Sequence, residues 1–341
     1  WFAESSDASK RFKLEEELIG PASKFLKPNI VVDAMLFDEK IIGLKLPVKM
    51  ELRVTEAHET TKGNTAQGAT KAVVLETGAL AMSALWGGVQ PRVAVHTRVC
   101  SYDRAGLGWS EPGPEPRDAL HIASELRTLL RNAGETPAYV LVGHSFGGLL
   151  VRVYTDQYPE DVVGLLLLDS SHPDQVTRFE KVRGKPSFLE AHLSPDLPVL
   201  ARLGALRFGL RFTDVGRRFD GLGPRRAAEF KAFFADSSHQ SAGEAEMEVW
   251  EETAAQARAT RVLGELPLVV ISAGETNPLS PERRVRFELQ EELAALSSRG
   301  SHRILAGTTH GSLATNQAHA ARVAEAIREL VEVTRTQGET R

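Results

Sequence analysis

Residues 139–154 read YVLVGHSFGGLLVRVY: an apolar run, a serine among glycines, and a second apolar run. A hydroxyl set between a buried strand and a helix is a candidate nucleophile when the turn around it is too tight for neighbouring side chains. Gly143 and Gly147 lack Cβ atoms and meet that condition. Such a turn strains the backbone of Ser145 and projects its hydroxyl above the sheet. Phe146 follows at the start of the helix, so its backbone N–H faces the same spot with the helix dipole behind it. A phosphate-binding turn would need GxxxxGK[ST] or GxGxxG, and neither pattern stands here. A serine hydroxyl is a poor nucleophile near neutral pH and needs a base, for which histidine has the suitable pKa. Ten histidines compete for the role.

The elements that must hold these groups alternate between strand and helix. AVVLETG and TRVCSY are short apolar strands, the second running into the glycine-rich DRAGLGWS. DALHIASELRTLLRNAG has helical spacing and closes at Gly134. AYVLVG predicts a buried strand, GGLLVRVYTDQYP a helix stopped by Pro159, and VVGLLLLDSS another buried strand. Continuous rather than alternating apolar strands, separated by helices, predict a parallel sheet covered on both faces. From His172 to about residue 265 the strand pattern lapses, and RRAAEFKAFFADS and AEMEVWEETAAQARAT predict a helical insertion. LPLVVISAG and HRILAG resume the sheet, and NQAHAARVAEAIRELVEVT predicts a closing helix. Upstream, KMELRVTE alternates apolar and charged residues as a half-buried strand does, and the first 48 residues are expected to form an N-terminal arm.

The whole chain limits what this machinery can serve. A length of 341 residues permits one large α/β domain with an insertion. A formal charge of −4 offers no broad basic face for phosphates, so nucleic acid is not expected as a partner. The single cysteine, Cys100, cannot form an internal disulfide and sits in apolar surroundings, which predicts an inert buried thiol. No run of about 18 apolar residues predicts a membrane span. The first residue is Trp1 rather than methionine, and the compartment and oligomeric state stay open.

GHSFGG, with YDRAGLGWS upstream and the histidine loop GTTHGS near the C-terminus, resembles the α/β-hydrolase superfamily. The likeness is to its cap-bearing esterase and epoxide-hydrolase-like branch and covers residues from about 50 to 335. It implies a mostly parallel eight-stranded sheet with helices on both faces, a helical lid after the sixth strand, and a Ser–acid–His triad in that order. The corresponding domains are an arm at 1–48, a core at 49–171 and 266–335, and a cap at 172–265. The family's base position falls on His310, where Thr309 replaces the usual preceding glycine. Asn277 stands where the family's aspartate is usual, and an amide cannot stabilise an imidazolium. Asp169, which ends LLLLDSS, lies where some branches of the family place the acid and at the ligand-binding edge of such sheets. Asp169 is therefore preferred, with Glu275 as the alternative.

The resemblance also assigns the second oxyanion donor to the turn after the third strand, where Thr77-Gly78 replaces His-Gly and the Ala79 amide is the candidate beside that of Phe146. Gly78, His144 and His172 are candidate pocket residues, and His319 a surface or packing residue. Asp103 and Arg104 are assigned to local hydrogen bonding. LPVLARLGALRFGLRF interleaves Arg202, Arg207 and Arg211 with apolar residues. It is expected to roof the pocket with its apolar face, a lipid surface being the less favoured alternative. The expected function is hydrolysis of a small carboxylic ester with an apolar portion through an acyl-enzyme on Ser145, with no metal or organic cofactor. Dehalogenases and epoxide hydrolases of this fold need aspartate at the nucleophile position, which Ser145 argues against. Amidase, aminopeptidase, thioesterase and perhydrolase chemistry would keep the same triad, and a hydrolase-fold ligand-binding receptor with little turnover is the alternative of a different class.

Overall fold

The computed structural model describes residues 30–35, 47–55, 70, 72–183, 197–212, 219–260, 263–274 and 280–338. Its sheet runs β1-β2-β4-β3-β5-β6-β7-β8, with β1 Ile30–Met35, β2 Pro47–Thr55, β3 Ala72–Glu76, β4 Arg98–Tyr102, β5 Tyr139–His144, β6 Val162–Leu168, β7 Leu268–Gly274 and β8 Gly300–Ala306. From β4 onward across the sheet every pairing is parallel, while β1–β2 and β2–β4 are antiparallel.

The apolar runs lie in the middle of this sheet because both of its faces are covered. Val74, Leu141, Leu165 and Leu167 belong to one buried cluster, and Val73, Leu75, Val140, Val142, Leu166 and Leu168 to the other. Helices Ala119–Asn132 and Gly147–Gln157 supply side chains to the first cluster, and the closing helix Gln317–Gly338 to the second. The Asp118 carboxylate caps helix Ala119–Asn132 by accepting from the His121 amide, and Gly134 takes φ +75° after its end.

Three departures from the sequence reading have physical causes. The arm contributes a strand: β1 pairs with β2 along its whole length, Ile30 opposite Leu52. β2 is not half-exposed, because Glu51 and Arg53 are buried as well as Met50 and Leu52. Arg53 is ion-paired to Glu229 of the segment between β6 and β7, which covers what the alternation marks as a solvent face. AEMEVWEETAAQARAT is not one helix but parts of two, Ser237–Glu248 and Trp250–Ala259, breaking at Val249.

Between β6 and β7 the described residues form helices and no strand. They include Gln175–Arg183, Leu197–Arg202, Ala205–Phe212 and Pro224–Phe234 besides the two just named. No helix among the described residues is long and apolar enough to cross a membrane. Cys100 is free and buried, and burial pushes its thiol pKa well above the ordinary value.

Candidate active site

Ser145 stands in the turn between β5 and helix Gly147–Gln157 with φ +54°, a left-handed backbone that a serine adopts only under constraint. The neighbouring glycines supply the constraint. A Cβ on Gly143 would lie 2.6 Å from the Gly147 carbonyl oxygen and from Val151 Cγ2, and one on Gly147 would overlap the Thr77 carbonyl. Two bonds pin the turn to the adjacent strand end: the Ser145 amide donates to the Leu168 carbonyl at 3.1 Å, and the Ser171 amide to the Ser145 carbonyl at 2.9 Å.

Asp169 occupies the tip of β6, one strand over, and also has positive φ, +40°. Its carboxylate accepts from His310 Nδ1 at 2.6 Å and Arg286 Nη1 at 3.0 Å on one oxygen, and from the Ala273 amide at 3.1 Å on the other. Burial alone would raise its pKa. The His310 hydrogen bond, the His310 and Arg286 charges and the Ala273 amide outweigh burial and hold the carboxyl well below the usual range. Asp169 is therefore ionised at neutral pH, and an ionised carboxylate can only accept. His310 Nδ1 accordingly carries the proton that the carboxylate accepts.

His310 sits in the turn after β8. The Gly307 amide donates to the Gly274 carbonyl at 2.7 Å, and Thr308 Oγ1 accepts from the Gly274 amide at 3.1 Å, fixing the loop to the end of β7. Thr309, in the place of a glycine, serves the loop: its amide donates to Ser312 Oγ, and its hydroxyl accepts from the Ser312 amide. Among the described residues Ser145 Oγ takes no hydrogen-bond partner.

His144 lies against this group. Its ring stacks on His310 with centroids 4.6 Å apart, and its Nε2–H donates to the His310 carbonyl at 3.2 Å. Burial, and then the nearby His310, push its pKa down to about 3, so it stays neutral beside His310. His172 has its own partners. Its Nδ1 accepts from the Asp174 amide and its Nε2 lies 3.6 Å from Glu292, so it braces the start of the helical segment. His319 bonds Ser312 Oγ through Nδ1. Glu275 and Asn277 lie outside the described residues.

Gly78 packs directly on the serine, since a Cβ there would sit 3.0 Å from Ser145 Cβ. The turn that carries it is held by Arg104, whose role is wider than local hydrogen bonding. Arg104 is fully buried, ion-paired to Glu76 and Glu246 at 2.7 Å each, and donates to the Thr77 and Gly78 carbonyls at 3.0 Å each. In a planar trans peptide the N–H points opposite to the C=O. Arg104 therefore fixes the direction of the Ala79 amide by holding the Gly78 carbonyl. Asp103 is local as expected, accepting from the Ser83 and Trp109 amides. Leu80 continues the turn with φ +54° and packs on Gly243 of helix Ser237–Glu248. The Trp250 ring packs tilted against Phe146 with centroids 5.7 Å apart, so the helical segment meets the candidate site beside both proposed amide donors. Arg286, Arg104 and Glu246 carry no local sequence signal for these positions; a buried arginine closing an apolar strand is the nearest clue. Among the described residues no cluster of three His, Cys, Asp or Glu side chains is arranged to hold a metal ion.

Residues 71–286 match the family model of the alpha/beta hydrolase fold, and the chain belongs to that family. A stretch of 90 residues, 26% of this chain, is 41% identical to elongation factor P of Prochlorococcus marinus, covering 48% of that protein. The chain thus spans about half the length of that curated relative. A stretch of 102 residues, 29% of this chain, is 35% identical to an AB hydrolase superfamily protein of Gibberella zeae and covers 32% of it. Among solved structures, a malate-bound thermophilic esterase from Thermogutta terrifontis is similar over 91% of this chain and 100% of that one, with a TM-score of 0.58 and 16% identity. At that identity the likeness speaks to the fold.

Proposed function

We propose that this protein is a serine hydrolase that cleaves a carboxylic ester with an apolar portion through an acyl-enzyme on Ser145. The observation that carries the reading is the 2.6 Å bond between His310 Nδ1 and the buried Asp169 carboxylate. It orients a loop histidine by Nδ1 so that Nε2 would serve as the base for a strained, partly exposed serine. In the proposed reaction Ser145 Oγ attacks the ester carbonyl as its proton passes to His310 Nε2, and the resulting imidazolium is stabilised by Asp169. The amides of Phe146 and Ala79 receive the negative charge that develops on the carbonyl oxygen. Collapse of the tetrahedral intermediate breaks the C–O bond, and the leaving alcohol takes the proton from His310. Water then repeats the sequence, with His310 removing its proton, and releases the acid and free Ser145. The helical segment at 172–265 acts as a cap through its contacts at Phe146 and Leu80. The test is labelling with a fluorophosphonate probe alongside turnover of nitrophenyl esters of graded chain length, with amide and thioester analogues in parallel. Wild-type labelling that Ser145→Ala abolishes is the expected result. A wild type that neither labels nor turns over any of these substrates would overturn the reading in favour of a ligand-binding role.

A further inference from the structure

The segment 197–212 leaves several of its apolar side chains exposed. Leu203 is 75% exposed, Phe208 67% and Phe212 65%, and Val199 and Leu200 are exposed beside them. Helix Leu197–Arg202 is seated through the buried Ala201, and helix Ala205–Phe212 has no buried residue. At about 100° per residue, Leu206 and Leu210 share the half-buried face of the second helix, whereas Phe208 and Phe212 fall on the opposite side. The two phenylalanine rings meet there, with centroids 4.5 Å apart. Arg207 and Arg211 lie between the two faces, flanking the phenylalanines, and Arg202 is exposed next to them. No acidic residue occurs between 197 and 212. Among the described residues none of the three arginines is paired with a carboxylate.

We propose that this face docks on an anionic lipid surface, the phenylalanines and Leu203 entering the acyl boundary while Arg202, Arg207 and Arg211 meet the headgroups. An outward apolar row bordered by unopposed cations is the arrangement that a negatively charged interface between water and hydrocarbon satisfies at once. The basic flank is complementary to anionic headgroups, and the aromatic tips supply the apolar area. The proposal stands independently of the chemistry at Ser145.

The full chain is tested by cosedimentation with vesicles of phosphatidylcholine and phosphatidylglycerol, compared with phosphatidylcholine alone. The wild type is expected to partition onto the mixed vesicles much more strongly than onto the neutral ones. Removing both rings in F208S/F212S should weaken partition onto the mixed vesicles roughly tenfold or more. Removing two charges in R207Q/R211Q should weaken it by about fivefold per arginine and remove most of the preference for anionic lipid. Unchanged far-UV spectra and melting temperatures identify variants that remain folded, and the fluorophosphonate reaction at Ser145 should be the same in all of them. Absence of wild-type binding to the mixed vesicles overturns the proposal, as does binding that survives both double substitutions. So does reversible self-association in sedimentation velocity that F208S/F212S abolishes while vesicles capture nothing, because a second copy of the chain would then cover the face.

Discussion

Replacing Asp169 with asparagine is the most exacting test of the proposed site, because the structure fixes what the amide would face. One carboxylate oxygen receives two donors, His310 Nδ1 and Arg286 Nη1, and the other receives the Ala273 amide. Asparagine has one acceptor oxygen and one NH2 group. With its oxygen toward His310, the NH2 opposes the Ala273 N–H, and two donors meet in a buried site. With the NH2 toward His310, Nδ1 must accept, the ring proton moves to Nε2, and the base can no longer take the serine proton. Either orientation removes the charge that would balance the imidazolium. The same replacement in a Ser–His–Asp hydrolase of another fold lowers kcat by about 10⁴, a loss of about 5 kcal/mol in transition-state stabilisation. A loss of that order is expected for Asp169→Asn in pre-steady-state and steady-state hydrolysis of an activated nitrophenyl ester, with fluorophosphonate labelling slowed in step. The melting temperature reports whether the fold survives. Turnover within about tenfold of wild type would refute the assignment, since no orientation of the amide preserves both the tautomer and the charge. Glu275→Gln in parallel would then show whether the alternative carboxylate serves.

Three further outcomes follow from named contacts. Arg104→Met leaves Glu76 and Glu246 buried without their shared cation and should destabilise the fold by about 3–5 kcal/mol in denaturant unfolding; an unchanged midpoint would mean that the network carries no such weight. Gly78→Ala places a Cβ 3.0 Å from Ser145 Cβ and 3.4 Å from His144 Nδ1, and ester turnover should fall by about tenfold to a hundredfold with little change in melting temperature. His144 is held neutral to about pH 3, whereas the unfolded side chain protonates near its ordinary pKa of about 6.5. The lowered folded pKa means that its contribution is complete above the unfolded value and fades as pH falls towards the folded one. Between pH 7 and pH 5 it should account for about 2 kcal/mol of lost stability, so His144→Gln should show a correspondingly shallower loss in urea titrations.

What the chain discloses on inspection is whatever local pattern encodes. The turn around Ser145 is legible because two glycines and two apolar runs specify it within sixteen residues. Asp169 is legible because a carboxylate closing a buried strand has few places to go. The ion network of Arg104 is not, since its partners lie 28 and 142 residues away and leave no periodicity between them. Arg286 reaches Asp169 across 117 residues from a helix whose sequence reads as charged surface. The alternation of KMELRVTE correctly marks a strand but misleads about its second face, because Glu229 arrives from the helical segment to pair with Arg53. In 197–212 helical spacing marks apolar residues that want cover, and Leu203, Phe208 and Phe212 are nonetheless exposed. His172 takes partners that its place after β6 does not signal, the Asp174 amide beside it and Glu292 of a distant helix.

Ser145 and Asp169 are the two non-glycine residues at adjacent strand tips whose backbones are left-handed. Each such conformation costs on the order of 1 kcal/mol or more, which a glycine would recover. At Ser145, whose hydroxyl takes no partner among the described residues, selection for heat resistance alone would therefore drift towards glycine and erase the proposed nucleophile, whereas at Asp169 the lost bonds to His310 and Arg286 oppose that gain. At Ser145, latent stabilisation and proposed chemistry therefore coincide. A lineage released from the demand for turnover would be expected to lose the proposed activity first at that residue.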